Sequence, residues 1–196
     1  MSEDVMNEDR PSRGSQDLRP TIAARTSPTD GPAGDVALLE AFVELARSGA
    51  AGADPVELTT ALCERIVAVL PVAAAGVLMV DAGGALRVLG SSSIAAHLLD
   101  LLQVQDDAGP CRDCCRDGGP VTDLVLAAEG PWPRFAAAVR AEGFGAVHAL
   151  PLTAHGHVLG ALNLFAERGL PAPELAIAQA LADAATLALL QADPDE

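Results

Sequence analysis

From about residue 35 onward, apolar residues recur every three to four positions in some stretches and run continuously or alternate in others. Leu39, Phe42, Val43 and Ala46 keep a helical spacing that starts near Asp35 and stops at Ser48-Gly49. A stronger signal follows at Asp54-Pro55-Val56-Glu57, with a capping Asp, a Pro at the first helical position and a Glu three residues after the cap. This predicts a second helix that runs to Leu70 and is ended by Pro71. Residues Ala74 to Asp81 and Ala85 to Ser91 are rich in Val and Leu and flank Asp-Ala-Gly-Gly, the pattern of a hairpin. Ser93 is placed to cap a third helix in which Leu98, Leu101 and Leu102 share a face. Pro110 can open a short helix and Gly118 can close it. After an extended piece, Val121 to Leu124, a helix is expected whose side is lined by Trp132, Phe135, Ala136 and Val139. Two more strands, Gly145 to Leu152 and His157 to Phe165, precede a last helix from about Pro173 to Leu190.

The order of helices, hairpin, helical crossings, second hairpin and closing helix predicts an α+β fold, a central antiparallel sheet with helices on both faces. Residues 1–34 combine polar, charged, Pro and Gly residues with almost no large apolar side chain, so a disordered acidic and polar tail is expected there. Residues 35–191 then form one domain and 192–196 a short C-terminal tail. With aromatics at 3%, the core must be built mainly from Leu, Val and Ala.

Charge narrows the function. The formal net charge is −15, and all 12 basic residues are Arg, scattered singly. Direct nucleic-acid binding needs a basic face and is not expected. The longest apolar run, Ile66 to Val80, is broken by Pro71 and is shorter than the roughly 20 residues a membrane helix requires, so no membrane association is expected. The first 34 residues lack the apolar core of a signal peptide, and a cytoplasmic location with reduced thiols is the expectation.

The densest chemistry lies at Gly109-Pro110-Cys111-Arg112-Asp113-Cys114-Cys115-Arg116-Asp117-Gly118. Cys111 and Cys114 form a CxxC at a helix start, where unpaired N–H groups favour a thiolate, and Arg112 and Arg116 are near in sequence. Cys111 is the first candidate for reactivity, with Cys114 and Cys115 completing the redox set. Three sulfurs on one helix face could also share a metal, but a structural zinc site takes four ligands, and no metal site is expected. The bland reading is packing, since free Cys behaves as a small hydrophobe.

The polar residues elsewhere divide similarly. His155 and His157 flank Gly156 in a hairpin loop and read as a solvated turn, and His97 as exposed. His148 alternates in phase with Ala146, Leu150 and Leu152, and so points either into a pocket or into the core with its ring hydrogen-bonded. Asn163 reads as a satisfied structural polar group. No nucleophile turn, phosphate-binding glycine motif or HExxH sequence is present, so no catalytic residue and no enzyme are expected.

Several motifs together resemble a family. Gly109-Pro110-Cys111, GGPVTDL at 118–124, PWPRFAAA at 131–138, AVHALPL at 146–152 and HVLGALNLF at 157–165 resemble, in order and spacing, the GAF domain, particularly that of actinobacterial GAF–ANTAR regulators. The resemblance covers roughly residues 36–191. It implies that the first, second and last helices pack on one sheet face, while the middle helices cover the other and enclose a small-molecule pocket. Only residues 191–196 follow the last helix, so the RNA-binding ANTAR module is expected to be missing here. The family's cyclic-nucleotide signature needs a Lys this chain lacks, and its bilin signature is absent. Free methionine sulfoxide reductases of this fold carry a Cys near the place of Cys111, but their other two cysteines have no counterpart.

The resemblance implies a non-enzymatic sensory module that binds a small molecule or senses redox state and regulates a protein partner, in a setting such as transcription control. Its pocket is expected to be lined by Val77, Met79, Leu101, Pro110, Cys111, Phe135, His148 and Leu150. The ligand is not named by the sequence. Two alternatives remain: a structural homodimer built through the first and last helices with no ligand, and a thiol switch or reductase that uses Cys111.

Overall fold

A computed structural model describes residues 32–125 and 130–192 of the chain. Its elements, in order, are α1 (Pro32–Ala50), α2 (Pro55–Val69), β1 (Ala74–Val80), β2 (Leu86–Ser91), α3 (Ile94–Asp106), α4 (Pro110–Asp117), β3 (Val121–Val125), α5 (Pro133–Ala141), β4 (Ala146–Ala154), β5 (His157–Ala166) and α6 (Ala172–Ala192). The expected acidic tail lies outside the described residues up to position 31. Pro32, Ala33 and Gly34, expected in that tail, belong instead to the first turn of α1, where Pro suits a helix start. Of the expected C-terminal tail, Ala192 ends α6 and residues 193–196 are outside the description.

Local signals set most boundaries. Asp54 Oδ1 accepts from the backbone N–H of Val56 at 2.8 Å and of Glu57 at 3.4 Å, which satisfies two orphan donors of α2. Ser93 Oγ accepts from the N–H of Ala96 at 3.2 Å and starts α3. Gly118 closes α4 in the left-handed region with φ 71°. In the first hairpin, Asp81 Oδ1 accepts from the N–H groups of Gly83 and Ala85 at 2.9 and 3.0 Å. The second hairpin turns through His155 and Gly156, both at positive φ, the requirement of a tight primed turn.

The five strands form one antiparallel sheet in the order β2-β1-β5-β4-β3. Against one face pack α2 and α6, with α1 packed on those two helices, and together they enclose Leu45, Leu62, Ile66, Leu181 and Ala185 with Val77, Leu150, Leu162 and Leu164 of the strands. Against the other lie α3, α4 and α5, with one cluster around Phe135, Val147 and Phe165 and another around Leu78, Cys111, Cys114 and Ala161.

Two helices keep the expected period but are rotated. On α1, Ala41 and Leu45 are buried and Phe42 packs beside them, whereas Leu39, Val43 and Ala46 face outward. On α3 the buried face is Ala96, Leu99, Asp100 and Gln103, and Leu98 is 57% exposed. An acid and an amide therefore occupy the side expected to be leucine.

Among the described residues, α6 is the one helix whose length and mean hydropathy, 21 residues and 1.5, would suit a membrane span. Here its Ala178, Leu181, Ala182 and Ala185 are spent on packing within the domain.

Candidate functional site

In the layer between the sheet and α3–α4, one group of polar side chains is sealed among apolar ones. Asp100, Gln103 and Asn163 are each 0–1% exposed. Asn163 Nδ2 donates to Asp100 Oδ1 at 2.7 Å, and Gln103 Nε2 donates to the same oxygen at 3.3 Å. Gln103 Oε1 in turn accepts from the backbone N–H of Cys111 at 3.0 Å. A hydrogen-bonded chain thus runs from central strand β5 through α3 to the start of α4.

The backbone makes room for this chain. Gly76 of β1 lies directly across from Asn163 in the sheet register. A Cβ there would overlap Asp100 Oδ2, so the missing side chain is what lets the carboxyl rest on the strand. Two acceptors, Asp100 Oδ2 and Asn163 Oδ1, are buried with no hydrogen-bond partner. Orphaned buried oxygens are unusual in a native fold and mark a place where a donor is wanted. Burial pushes the Asp100 carboxyl up to about 7, even though the bonds from Asn163 and Gln103 favour its ionised form.

The cysteines lie beside this cluster. Cys111 and Cys114 are completely enclosed against Leu78, Ala149 and Ala161, while Cys115 is half-buried. Cys63 sits on α2 across the sheet, in the other core. Burial raises the Cys111 thiol well above its ordinary range, with the Asp100 charge adding to the effect. It pushes Cys114 up to about 12 and Cys115 to about 11. Against the expectation that the helix start makes Cys111 the reactive thiol stands its burial, since desolvation opposes the effect of the helix dipole. The nearby arginines do not offset it. Arg116 pairs with Asp113 at 2.8 Å and Asp117 at 2.9 Å, and Arg112 pairs with Asp107 at 2.9 Å. Among the described residues no group of three or more His, Cys, Asp or Glu is placed to hold a metal ion.

The eight residues expected to line one hollow do not come together. Val77 and Leu150 are buried in the α1–α2–α6 core, and Met79 packs against it. His148 is on the same side of β4 as Leu150. It is fully buried, and its Nε2 accepts from the N–H of Leu170 at 3.1 Å. On the opposite face, Pro110 and Cys111 belong to α4, Phe135 sits in the α5 cluster, and Leu101 borders a surface groove of about 360 Å³ between α3 and α5. The correction has a simple cause: strand alternation says which residues share a face, and not which helices cover that face.

Asp100 and Gln103 were missed by the sequence reading. Their signal was present as a polar pair three residues apart inside Leu-Leu-Asp-Leu-Leu-Gln, which on a solvated helix would merely mark the outer side. Asn163 was noted as a satisfied polar group. Its Nδ2 is indeed satisfied and its Oδ1 is not.

A single five-stranded antiparallel sheet with helices on both sides and a sealed polar centre under the middle helices defines the domain as α+β. The sequence profile of the GAF domain matches residues 52–190, and the chain belongs to that family, a known sensory and ligand-binding module of signalling proteins. The fold is similar to that of a GAF domain from a phosphoenolpyruvate-protein phosphotransferase of Coxiella burnetii, at 17% identity, TM-score 0.61, and coverage of 82% of this chain and 98% of that one. It is also similar to a segment, residues 122 to 287, of a methyl-accepting chemotaxis protein, at 18% identity, TM-score 0.61, and coverage of 79% and 97%. A third similar structure is the free methionine-R-sulfoxide reductase of Neisseria meningitidis in complex with its substrate, at 12% identity, TM-score 0.62, and coverage of 84% and 92%. No curated protein matches the chain in sequence.

Proposed function

We propose that the chain is a non-enzymatic sensory module in which a small molecule, taken up between the sheet and the middle helices, alters how α3 and α4 sit and so regulates a protein partner. The observation that carries this reading is the sealed chain Asn163–Asp100–Gln103–Cys111, which links the sheet to both helices and leaves two oxygens without donors. A redox stimulus is the weaker form of the proposal, since Cys111 and Cys114 are enclosed with raised pKa values. Cys111 as a reductase nucleophile is disfavoured for the same reason. Control of transcription, the setting of the GAF–ANTAR regulators that the motifs resemble, belongs to this proposal. Mass spectrometry of small molecules released from natively purified protein tests it. A stoichiometric ligand that raises the unfolding temperature supports the reading. Protein that arrives empty, and that metabolites, haem and flavin all leave unchanged in stability, removes it.

A second reading rests on a separate observation. Val36, Leu39 and Val43 on α1 and Leu187 on α6 are 46–65% exposed. These helices pack together, with Gly49 of α1 seated against Ala188 of α6. An apolar outer face there suits a homodimer built through α1 and α6, which could act as a scaffold with no ligand at all.

A further inference from the structure

The Asp100–Asn163 contact has an unusual composition. An Asn side chain offers one donor and one acceptor side by side, and a neutral carboxylic acid does the same, so the two can join through a pair of parallel hydrogen bonds. One of those bonds is already formed, from Asn163 Nδ2 to Asp100 Oδ1 at 2.7 Å. The two oxygens of the same pair of groups that remain, Asp100 Oδ2 and Asn163 Oδ1, are the buried acceptors without a donor. A proton on Oδ2 turns that oxygen from an orphaned acceptor into a donor, the group that Asn163 Oδ1 lacks.

We propose that Asp100 is a proton switch. As the neutral acid it closes a two-bond ring with Asn163 and holds α3 against Gly76 of β1. As the carboxylate, its proton released to bulk water, it leaves a buried charged oxygen with no donor and lets α3 come away from the sheet, with α4 following through Gln103. The coupling to α4 is direct, because Gln103 bonds both the Asp100 carboxyl and the first turn of α4.

The surroundings leave this role to Asp100. From β1 it meets Gly76, from β5 Asn163, from its own helix Gln103, and from α4 the Cys111 thiol, while Cys63 of α2 feels its charge across the sheet. The thiols are neutral, their pKa values raised by burial, and none of these groups is a cation that would hold the carboxylate in place. The charged residues near the C-terminal end of α3 are engaged with each other at the surface, Asp106 with Arg134 at 2.6 Å and Asp107 with Arg112 at 2.9 Å. The carboxyl titrates at about 7, so the change falls near neutral pH. The switch needs no small molecule; it draws on the same two oxygens as the ligand reading and fills with a proton the place that reading gives to a ligand.

Thermal unfolding of the wild type and Asp100→Asn across about pH 5 to 8 tests it, since the amide copies the neutral acid's donor and acceptor. The wild type should lose roughly 3 °C of Tm per pH unit up to about 7, and Asp100→Asn should lose little, becoming the more stable protein at the alkaline end. Parallel pH profiles for the two proteins, or a variant equally weakened at every pH, would overturn the proposal. Amide hydrogen exchange on the wild type alone gives a second measurement should the variant not fold. After correction for intrinsic rates, protection of 94–106 should fall from about pH 6 to about pH 8 while α2 and α6 hold theirs. Equal change in all three helices would sink the switch.

Discussion

At Asp100 two opposing effects set the charge: loss of water favours the neutral acid, while hydrogen bonds from Asn163 and Gln103 favour the carboxylate. Desolvation wins, and the sign of the consequence follows. An unfolded Asp titrates near about 3.9, and the folded one at about 7. Between these values the folded chain holds a proton that the unfolded chain has released. Stability from this group is therefore complete below the unfolded pKa, falls by about 1.4 kcal/mol per pH unit, and is gone once pH has risen through the folded pKa. The thiols give a second prediction at this scale. In native protein at mildly alkaline pH, half-buried Cys115 should be alkylated first and slowly, and Cys63, Cys111 and Cys114 only on unfolding. Peptide mapping of the labelled protein checks it, and early labelling of Cys111 would contradict it. The Cys-x-x-Cys spacing was legible in the sequence; its burial was not, because free Cys has no polarity strong enough to reveal which way it faces.

The elements tell a similar story for α3. Its start at Ser93 was readable because a cap is a local interaction. Its buried face was misread because Leu98, Leu101 and Leu102 outweigh Asp100 and Gln103 on any apolar scale. What reverses the choice is Asn163, 63 residues away, together with a glycine on β1 that leaves space for a carboxyl. The packing of α3 on β1 can be tested by a mutant cycle. Gly76→Ala should destabilise the wild type by about 2 kcal/mol or more, since the new methyl overlaps Asp100 Oδ2, and much less in an Asp100→Ala background. Chemical denaturation measures both, and strict additivity would show that the two residues are not in contact. On α1 the misreading was of another kind. Leu39 and Val43 are apolar yet outward, which a pattern rule counts as core.

For the whole molecule, the order of helices and hairpins was enough to give the sheet and its layers. Caps, turns and alternation are short-range and leave a clear trace. The family resemblance placed the helices on their two faces as found; which alternate strand residues face which layer was not legible, because one residue of register decides it, and so the expected pocket was assembled from both sides. The outer apolar face on α1 and α6 leads to the prediction that the protein sediments as a dimer at micromolar concentration. Leu39→Glu with Leu187→Glu should yield a folded monomer whose thermal stability no longer depends on protein concentration. A wild type that sediments as a monomer would end the scaffold reading. The account as a whole turns on the buried acid under α3, and the most direct measurement is a carboxyl carbon NMR titration that follows Asp100 in the folded protein. A midpoint near neutrality is predicted; a midpoint in the ordinary carboxylate range, near about 4, would contradict it.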